Sequence, residues 1–278
     1  MKNVTDKVAA ITGAASGIGR ALALELAQQG CHIALSDVDE TGLAETASQA
    51  AAYGIKVTTQ KLDVADREAV HAWADTVVND HGKVNMIFNN AGVALGGTVA
   101  KTDYSDYEWI MNINMWGVVY GTKAFLPYIQ ESGEGHIVNI SSIFGIFAQP
   151  TQSAYNMSKF AVRGFTESLR QELDISKDNV SATCVHPGGI KTNIAKNARM
   201  NSSVSELTGG DAETARAQFD AMFMTTPEKA AKVILNAVSK NKRRVLIGPD
   251  AKVLDIMQRS LPMAYQRLVT SSMKLAKR

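Results

Sequence analysis

The stretch VAAITGAASGIGRALALELA, residues 8–27, decides the fold of this chain. It begins with an apolar run that predicts a buried strand, passes through Gly13, Gly17 and Gly19, and then takes up the apolar spacing of a helix. Glycine permits a tight turn and the close approach of a diphosphate, and a helix N-terminus offers free N–H groups. This order predicts a dinucleotide-binding unit, although the GxxxGxG spacing differs from the common GxGxxG.

Short apolar runs alternate with longer stretches of helical periodicity along the rest of the chain. The predicted strands are 7–12, 32–36, 56–61, 84–89, 135–141, 179–185 and 244–247. The predicted helices are 17–29, 40–53, 67–81, 104–132, 154–176 and 227–240, with Thr226 as the cap of the last. Several strands are apolar at successive positions, as in strands buried on both faces. The pattern predicts an α/β fold, a doubly wound parallel sheet (Rossmann fold) of about seven strands with helices on both faces.

We expect residues 1–278 to form a single dinucleotide-binding and catalytic domain, because no change of composition marks a linker. Residues 190–226 are polar, rich in Ser, Thr and Asn, and show no strand pattern, which is typical of a lid insertion. Residues 250–278 are predicted to form a C-terminal amphipathic helical extension with a basic end.

Composition excludes several classes of protein. The net charge of +2 is too small to indicate a nucleic-acid binder. Cys31 and Cys184 lie far apart, and neither they nor the histidines show the spacing of metal ligands, so we expect no metal site. No apolar run reaches the roughly 18 residues that a membrane span needs, and the polar N-terminus does not resemble a signal peptide. We therefore expect a cytoplasmic enzyme.

The predicted second strand ends at Asp37. An acid at this place accepts hydrogen bonds from the ribose hydroxyls of the adenosine and repels the 2′-phosphate of NADP. No basic residue follows in Val38-Asp39-Glu40, so we expect NAD(H) as cofactor, with NADP(H) less favoured. Two alternatives stay open. Arg20 could reverse the preference, and Asp37 could instead cap the next helix, a role that Asp39 could also fill.

An ordered set of motifs then points to a family: Thr12–Gly19, Asn89-Asn90-Ala91-Gly92, Asn114, Ser142, Tyr155-x-x-x-Lys159 and Pro187-Gly188. Together they resemble the short-chain dehydrogenases/reductases, in particular NAD-preferring alcohol and ketone oxidoreductases. The likeness runs from about Lys7 to Leu246. A Tyr and a Lys four positions apart occur by chance on many helices, but the ordered set is specific. The resemblance implies an NAD(P)-dependent oxidoreductase that acts on CH–OH groups.

The residue types fit that chemistry. Alcohol oxidation needs a base for the hydroxyl proton, and a free tyrosine titrates near ~10, too high for this role at neutral pH. Lys159 lies one helical turn after Tyr155, and a cation within ~4–6 Å favours tyrosinate. The resemblance likewise assigns Tyr155 as the acid/base.

Two further catalytic residues follow from the resemblance. Ser142 is preferred over Ser141 because it directly precedes Ile143-Phe144-Gly145, and its hydroxyl would hold the substrate oxygen. Asn114 matches the asparagine that bends its helix and orders a water beside the lysine, with Asn112 as the competing candidate.

The expected cofactor contacts also follow from position and resemblance. They are Gly13, Ser16, Gly17, Ile18, Gly19, Asp37, Asp63, Val64, Asn90, Ala91, Gly92, Tyr155, Lys159, Pro187, Gly188, Ile190 and Thr192. In members of the family that this sequence resembles, the pair that corresponds to Asp63-Val64 holds the adenine. Ile190 and Thr192 would contact the nicotinamide carboxamide.

Apolar side chains border the predicted reaction centre, among them Leu95 and Phe144, and no arginine stands there to bind an acidic group. We therefore expect a hydrophobic alcohol, ketone or aldehyde, contacted by Ser142, Phe144, Leu95 and Tyr155, unless these apolar residues serve the core or a subunit contact. His186 is more typical of a packed structural histidine than of a substrate contact.

The resemblance implies a homodimer or homotetramer that pairs the helices at 104–131 and 154–176. Met111, Met115, Trp116, Phe160 and Phe165 could form that contact or belong to the core. The basic amphipathic tail suggests a weak contact with a membrane surface or, alternatively, a cover for an apolar surface of the oligomer.

Two other functions are compatible with the fold. A 3-oxoacyl thioester reductase would use NADPH, against which Asp37 argues. A non-catalytic dinucleotide-sensing protein would usually lack the Tyr or the Lys, and this chain has both.

Overall fold

The computed structural model describes residues 1–209 and 225–276. Its main sheet has seven strands in the order β3-β2-β1-β4-β6-β7-β9, and every neighbouring pair is parallel. The strands are β1 (Val8–Thr12), β2 (His32–Asp37), β3 (Val57–Lys61), β4 (Met86–Asn89), β5 (Leu95–Gly96), β6 (Gly135–Ile140), β7 (Val180–Pro187), β8 (Arg199–Met200) and β9 (Arg244–Ile247). The predicted doubly wound parallel sheet is confirmed.

The α-helices of the described residues are α1 (Gly17–Gln28), α2 (Glu40–Ala51), α3 (Arg67–His81), α4 (Tyr104–Met111), α5 (Gly117–Glu131), α6 (Ser153–Ser176), α7 (Ser203–Thr208), α8 (Pro227–Ser239), α9 (Pro249–Ser260) and α10 (Tyr265–Ala276). The predicted start of α8 is correct: the Thr226 side chain accepts a hydrogen bond from the Lys229 N–H at 3.3 Å, and Pro227 occupies the first turn.

Burial on both faces explains the apolar strands. Every residue of β1 is buried, and successive side chains point to opposite faces of the sheet. Ala9 and Ile11 pack in a cluster with residues of α1 and α8, whereas Val8 and Ala10 pack in another with residues of α3 and α5. One short strand therefore contributes to two apolar layers.

The strand order reverses beside β1, which places a crevice at one edge of the sheet. From β1 the sheet extends to β2 and β3 on one side and to β4, β6, β7 and β9 on the other. In open sheets of this kind ligands bind outside the carboxyl ends of the strands at the reversal. The glycine-rich turn after β1 and Asn90 after β4 both lie there.

The predicted helix over 104–132 is helical from Tyr104 to Glu131, but its middle is a π-helical turn that the periodicity does not predict. It consists of α4, a π-helical turn at Asn112–Trp116, and α5. The widened turn lies where the Asn114 side chain bonds to the backbone of Val93. Single π-turns inside helices are frequent at functional sites.

The segment 190–226 was expected to contain no strand, and this is also wrong. Arg199–Met200 form β8, which pairs in parallel with β5 and is followed by α7. Strands of two residues are too short to leave a periodic signal in the sequence. Residues 210–224 of the predicted lid lie outside the described residues.

The C-terminal extension is two helices rather than one. α9 ends at Ser260 and α10 begins at Tyr265, with Pro262 between them, where proline disfavours a continuous helix. Lys277 and Arg278, which form the predicted basic end, lie outside the described residues. None of the helices described is both long and apolar enough to cross a membrane.

Candidate active site

The turn after β1 tolerates only glycine at key positions. Gly13 and Gly17 have positive φ angles of 65° and 54°. A Cβ on Gly19 would lie 2.1 Å from the Gly13 carbonyl oxygen, and one on Gly13 would lie 2.8 Å from Cα of Ala91. The Ser16 side chain makes no capping hydrogen bond to α1. The glycines leave a space in this turn that any side chain would fill, and the N-terminus of α1 has free N–H groups. We call this space the cradle. Together the two features fit the diphosphate of a dinucleotide.

Thr12 and Asn90 fasten this turn to the end of β4. The Thr12 Oγ1 accepts hydrogen bonds from the N–H groups of Asn90 and Ala91, both at 3.0 Å. The Asn90 Nδ2 donates to the carbonyl oxygens of Thr12 and Gly13 at 2.9 and 3.0 Å. The two strand ends that border the crevice are therefore held together by side chains.

Asp37 does not cap α2. Its Oδ2 accepts a hydrogen bond from the Ala15 N–H at 2.9 Å and its Oδ1 accepts one from the Asp39 N–H at 3.0 Å. Asp39 caps the helix instead, through a 3.1 Å bond from the Gly42 N–H. The Asp37 carboxylate therefore lies beside the glycine-rich turn, where it could meet a ribose.

The Arg20 side chain is held against α2. Its guanidinium donates to the carbonyl oxygens of Ala15 and Gly42 and to the Glu45 carboxylate, and its Nε donates to Thr46 Oγ1 at 2.9 Å. These bonds hold the guanidinium between the glycine-rich turn and α2, where it is paired with the Glu45 carboxylate.

The two residues expected near the adenine differ in exposure. Val64 is buried and lies against Gly117, on which a Cβ would come within 2.8 Å of the Val64 Cγ2. Asp63 is exposed, and its Oδ1 accepts a hydrogen bond from the Ala65 N–H at 2.9 Å. Both follow β3 at the same edge of the sheet as the turn.

Asn114 is fully buried in the π-turn, whereas Asn112 is exposed. The Asn114 side chain bonds to both backbone groups of Val93 and donates to Ser158 Oγ at 3.1 Å. A Cβ on Gly92 would lie 3.1 Å from the Asn114 Oδ1 and 3.4 Å from the Lys159 Nζ. Asn114 and Lys159 therefore flank the same glycine.

The two serines after β6 differ in what they contact. Ser141 Oγ donates to the Lys159 carbonyl oxygen at 2.8 Å, which ties β6 to α6. Ser142 Oγ accepts from the Phe144 N–H at 3.1 Å and interacts with the Tyr155 hydroxyl. Ser142 is thus the serine that adjoins Tyr155.

The His186 side chain is hydrogen-bonded to the backbone of Ser142. Its Nδ1 lies 2.9 Å from the Ser142 carbonyl oxygen, which can only accept, so this nitrogen carries the proton. Burial lowers the pKa of His186 to about 4, and its Nε2 has no hydrogen-bond partner. The histidine is therefore neutral and buried, as expected for a packed residue.

Tyr155 and Lys159 lie on one face of α6. The Lys159 Nζ is 5.7 Å from the centroid of the Tyr155 ring and donates to the Ile140 carbonyl oxygen at 3.1 Å. Burial lowers the pKa of Lys159 to about 8. We expected the lysine to lower the pKa of Tyr155. Instead burial raises that pKa, and the interaction with Ser142 offsets the rise only in part. Desolvation disfavours the charged phenolate, and this is the largest influence on the pKa of Tyr155.

The segment after β7 crosses the mouth of the crevice. Gly188 N–H donates to the Ile247 carbonyl oxygen at 2.8 Å, and Ile190 pairs with Thr225. A Cβ on Gly17 would lie 3.0 Å from the Thr192 methyl carbon, so this segment reaches the glycine-rich turn. Pro187 ends the strand itself.

The apolar residues expected to meet the substrate divide into two groups. Phe144 is half-buried, and its ring meets that of Tyr155 edge-on at 6.3 Å. Leu95 is buried in a cluster that Tyr155 also joins. The neighbours Ile143, Ile146 and Phe147 are core residues.

Sequence reasoning missed two residues that border this site. Tyr265 of α10 packs its ring against Phe147 at 4.5 Å, and its hydroxyl accepts from the Ala148 N–H at 3.4 Å. Asp250 of α9 accepts a hydrogen bond from the Gly189 N–H. The sequence Gly248-Pro249-Asp250, a turn followed by an acid in a first helical turn, was the available signal for the second.

The comparisons with known proteins agree with this geometry. Residues 7–203 match the family model described as short chain dehydrogenase. The protein of Mycobacterium tuberculosis (strain H37Rv) named as the oxidoreductase SadH is 52% identical over 272 residues, which cover 98% of this chain and 96% of that protein.

Solved structures are similar over nearly the whole chain. A short-chain dehydrogenase/reductase from Burkholderia phymatum in complex with NAD has a TM-score of 0.85 and 29% identity, covering 96% of this chain and 97% of that one. A short-chain dehydrogenase from Mycobacterium paratuberculosis bound to NAD has a TM-score of 0.76 and 26% identity, covering 88% and 97%.

This chain belongs to the short-chain dehydrogenase/reductase family. It is an oxidoreductase that uses a nicotinamide dinucleotide and acts on CH–OH groups.

Proposed function

We propose that this enzyme interconverts a hydrophobic secondary alcohol and its ketone, or the corresponding aldehyde, by hydride transfer to or from NAD(H). The observation that carries the proposal is the convergence of Ser142, Tyr155, Lys159 and Asn114 at the carboxyl ends of β4 and β6, beside a cradle that fits a dinucleotide.

Tyr155 acts as the acid/base. In oxidation its phenolate takes the proton of the substrate hydroxyl, and in reduction its phenol returns that proton to the new alkoxide oxygen. Ser142 Oγ holds the same substrate oxygen by a hydrogen bond. In its ammonium form Lys159 places a positive charge beside the Tyr155 ring, which favours the phenolate over the phenol. A bound nicotinamide ring supplies the acceptor or donor of the hydride.

The dinucleotide binds along the crevice. Gly13, Ser16, Gly17, Ile18 and Gly19 hold the diphosphate, Asp37 the adenosine ribose, and Asp63 with Val64 the adenine. Asn90, Ala91 and Gly92 line the middle of the crevice. At the far end, Tyr155, Lys159, Pro187, Gly188, Ile190 and Thr192 hold the nicotinamide half.

The preference for NAD(H) over NADP(H) rests on charge. Asp37 presents a carboxylate beside the Ala15 N–H, where a 2′-phosphate would meet a negative charge. Arg20, which could have neutralised that phosphate, is paired with Glu45. Both observations disfavour NADP(H).

The substrate is expected to be apolar, because Leu95 and Phe144 border Tyr155. Residues 1–278 are proposed to work as one domain in the cytoplasm, with the described part of the predicted lid, residues 190–209, covering the substrate. The pairing of β5 with β8 supports the lid, because it seats residues 199–200 on the strand that carries Leu95.

The enzyme is proposed to be a homodimer or homotetramer. Trp116, Met157 and Phe160 are exposed apolar side chains on the π-turn and on α6, the region that the family resemblance assigns to subunit contact. The substitution Trp116→Glu should lower the oligomeric state measured by light scattering. An unchanged mass would contradict this interface.

A weak contact of the tail with an anionic membrane surface is a further part of the proposal. The outer face of α9 carries the exposed side chains of Lys252, Val253, Ile256 and Arg259, a mixture of apolar and cationic residues. Sedimentation with phosphatidylserine vesicles should retain the wild type and release a Lys252→Glu/Arg259→Glu variant. Equal retention on neutral vesicles would contradict the electrostatic part.

The decisive experiment is a turnover assay with hydrophobic secondary alcohols and ketones, using NAD(H) and NADP(H) in parallel. Tyr155→Phe should abolish turnover and leave NADH binding nearly unchanged, whereas Tyr128→Phe, which removes an exposed hydroxyl bonded to Asp75, should behave as wild type. Consumption of neither cofactor across the panel would favour a dinucleotide sensor. Activity confined to 3-oxoacyl thioesters with NADPH would favour the thioester reductase.

A further inference from the structure

The first helix after the last strand of the main sheet reaches back to the active-site edge through one carboxylate. Asp250 lies in the first turn of α9 and is half-buried. Its Oδ2 accepts a hydrogen bond from the Gly189 N–H at 2.6 Å. Hydrogen bonds from a backbone N–H to a carboxylate oxygen are among the stronger ones in proteins.

Two glycines leave the space that this carboxylate fills. A Cβ on Gly188 would lie 2.1 Å from the Asp250 Oδ2, and a Cβ on Gly248 would lie 2.3 Å from the Oδ1. Gly248 also has a φ angle of 100°, which other residues rarely adopt. Four positions in two distant stretches of sequence, Gly188, Gly189, Gly248 and Asp250, thus accommodate one contact.

The bonded segment leads directly to the mouth of the crevice. Ile190 and Thr192 follow Gly189 within three residues, and Thr192 comes close to Gly17 of the glycine-rich turn. The far side of the segment is held by the backbone bond from Lys191 N–H to the Thr225 carbonyl oxygen at 2.9 Å. Asp250 therefore fixes the near end of a short span, Gly188–Thr192, whose other hydrogen bonds among the described residues join backbone groups.

We propose that Asp250 is a positioning residue for the hydride-transfer site. It touches neither substrate nor dinucleotide, and it acts by holding the Gly189 amide so that Ile190 and Thr192 keep their place beside the nicotinamide half. This inference rests on the function proposed above. It adds that the C-terminal extension, through α9, sets the geometry of a segment that closes the active site.

The first variant to make is Asp250→Ala. Because small displacements at a reacting centre are costly, kcat should fall on the order of 10- to 100-fold. The NADH dissociation constant should change little, since the adenosine half binds elsewhere. With deuterated NADH, the primary isotope effect on kcat should increase, because hydride transfer becomes the slow step. Hydrogen exchange at Gly189, measured without cofactor, should become faster.

Two variants separate positioning from mere anchoring of the helix. Asp250→Asn keeps an acceptor oxygen and should restore most of the turnover and of the Gly189 protection, whereas Gly188→Ala should displace the carboxylate and mimic Asp250→Ala. Asp255→Asn is the matched control. It weakens the buried pairing of α9 with Arg244, so it should lower Tm without affecting Gly189 exchange or the isotope effect.

The outcomes are decisive in each direction. Unchanged exchange at Gly189 and an unchanged isotope effect in Asp250→Ala would overturn the proposal, as would an Asp255→Asn variant that reproduces both changes. Failure of the proposed function looks different: the wild type would then turn over no substrate, while the exchange measurement would still decide whether Asp250 holds the segment.

Discussion

Asn114 bonds both backbone groups of Val93, accepting from its N–H at 2.8 Å and donating to its carbonyl oxygen at 2.9 Å. The Asn114 amide thus satisfies the backbone N–H and carbonyl groups of Val93, as an adjacent strand would do within a sheet. The bond lies in the π-turn and holds Gly92 close to Lys159. The wide helical turn and the position of the active-site lysine are therefore linked through a single buried residue.

Replacing Asn114 with Ala should impair both stability and turnover. The partly buried backbone groups of Val93 lose their partners, which costs about 1–2 kcal/mol of unfolding free energy. Turnover should fall because Gly92 is no longer fixed beside Lys159. Urea unfolding and steady-state kinetics measure the two effects. The matched control is Asn112→Ala, an exposed residue of the same turn, which should leave both unchanged; similar losses in the two variants would contradict the assignment.

The pH dependence of the two directions should be opposite. A free tyrosine titrates near ~10, and burial raises the pKa of Tyr155 further, so its phenolate becomes more abundant as the pH rises across the alkaline range. Alcohol oxidation, which needs the phenolate, should accelerate with pH, and ketone reduction, which needs the phenol, should slow. Profiles of kcat/KM in both directions test this. Parallel profiles would rule out Tyr155 as the proton-transferring group.

Lys159→Met should move the rising limb of oxidation to higher pH, because a neutral side chain no longer stabilises the phenolate. Lys123→Met, an exposed lysine on α5, is the control and should keep the wild-type profile. A limb that does not move in Lys159→Met would show that the lysine charge is not used.

Asp37→Ala should weaken NADH binding by about tenfold, the value of one hydrogen bond to a charged group, and relax the bias against NADPH. Fluorescence titration with both reduced cofactors gives the ratio of dissociation constants. Asp39→Ala removes the cap of α2, at about 1 kcal/mol of stability, and should leave that ratio unchanged. An unaltered ratio in Asp37→Ala would contradict the cofactor preference.

Stability should fall in mild acid because buried histidines stay neutral. Burial lowers the pKa of His136 to about 3, and an unfolded histidine titrates near ~6.5. Between these values the unfolded chain binds a proton that the folded chain does not, so stability decreases as the pH falls, by at most ~1.4 kcal/mol per pH unit for this residue. His136→Gln should make the slope of unfolding free energy against pH shallower, as measured in urea between pH 7 and 5. An equal slope in both proteins would falsify this explanation.

The contacts that hold Arg199, in the proposed lid, offer a separate test of substrate binding. The Arg199 guanidinium stacks on the Trp109 ring at 3.6 Å and pairs with Asp106 at 3.1 Å. Arg199→Ala should raise KM for the substrate several-fold, because segment 199–200 is held less firmly, and leave NADH affinity unchanged. Lys196→Ala, an exposed residue of the same segment, is the control. A change in NADH affinity alone would contradict the lid.

The central strands of the main sheet were predictable because they are runs of largely apolar residues that both faces of the sheet bury, as Val8 to Ile11 illustrate, whereas β3 has no buried residue. Thr226-Pro227 was equally informative, since capping is a local property. The π-turn was not, because it depends on the distant backbone of Val93. The pairing of β5 with β8 joins residues about a hundred positions apart through two residues each, which leaves no periodic signal.

In the candidate site, too, features set by local sequence were predictable and features set by distant residues were not. Spacing placed Tyr155 and Lys159 on one face of α6, and motif position distinguished Ser142 from Ser141. The sign of the Tyr155 pKa shift was missed because it depends on how much water the fold excludes, which no local pattern records. Asp250 and Tyr265 were missed because their partners lie on other elements.

The ring of Tyr265 packs on Phe147, so the loop after β6, which carries Ser142 and Phe144, rests in part on chain beyond the last strand of the main sheet. Such a terminal stretch can lengthen, shorten or change sequence without altering the strand pairing that aligns the reacting groups. Changes confined to α10 can therefore alter how the loop after β6 is supported while the main sheet and the Asp250 contact of α9 stay the same.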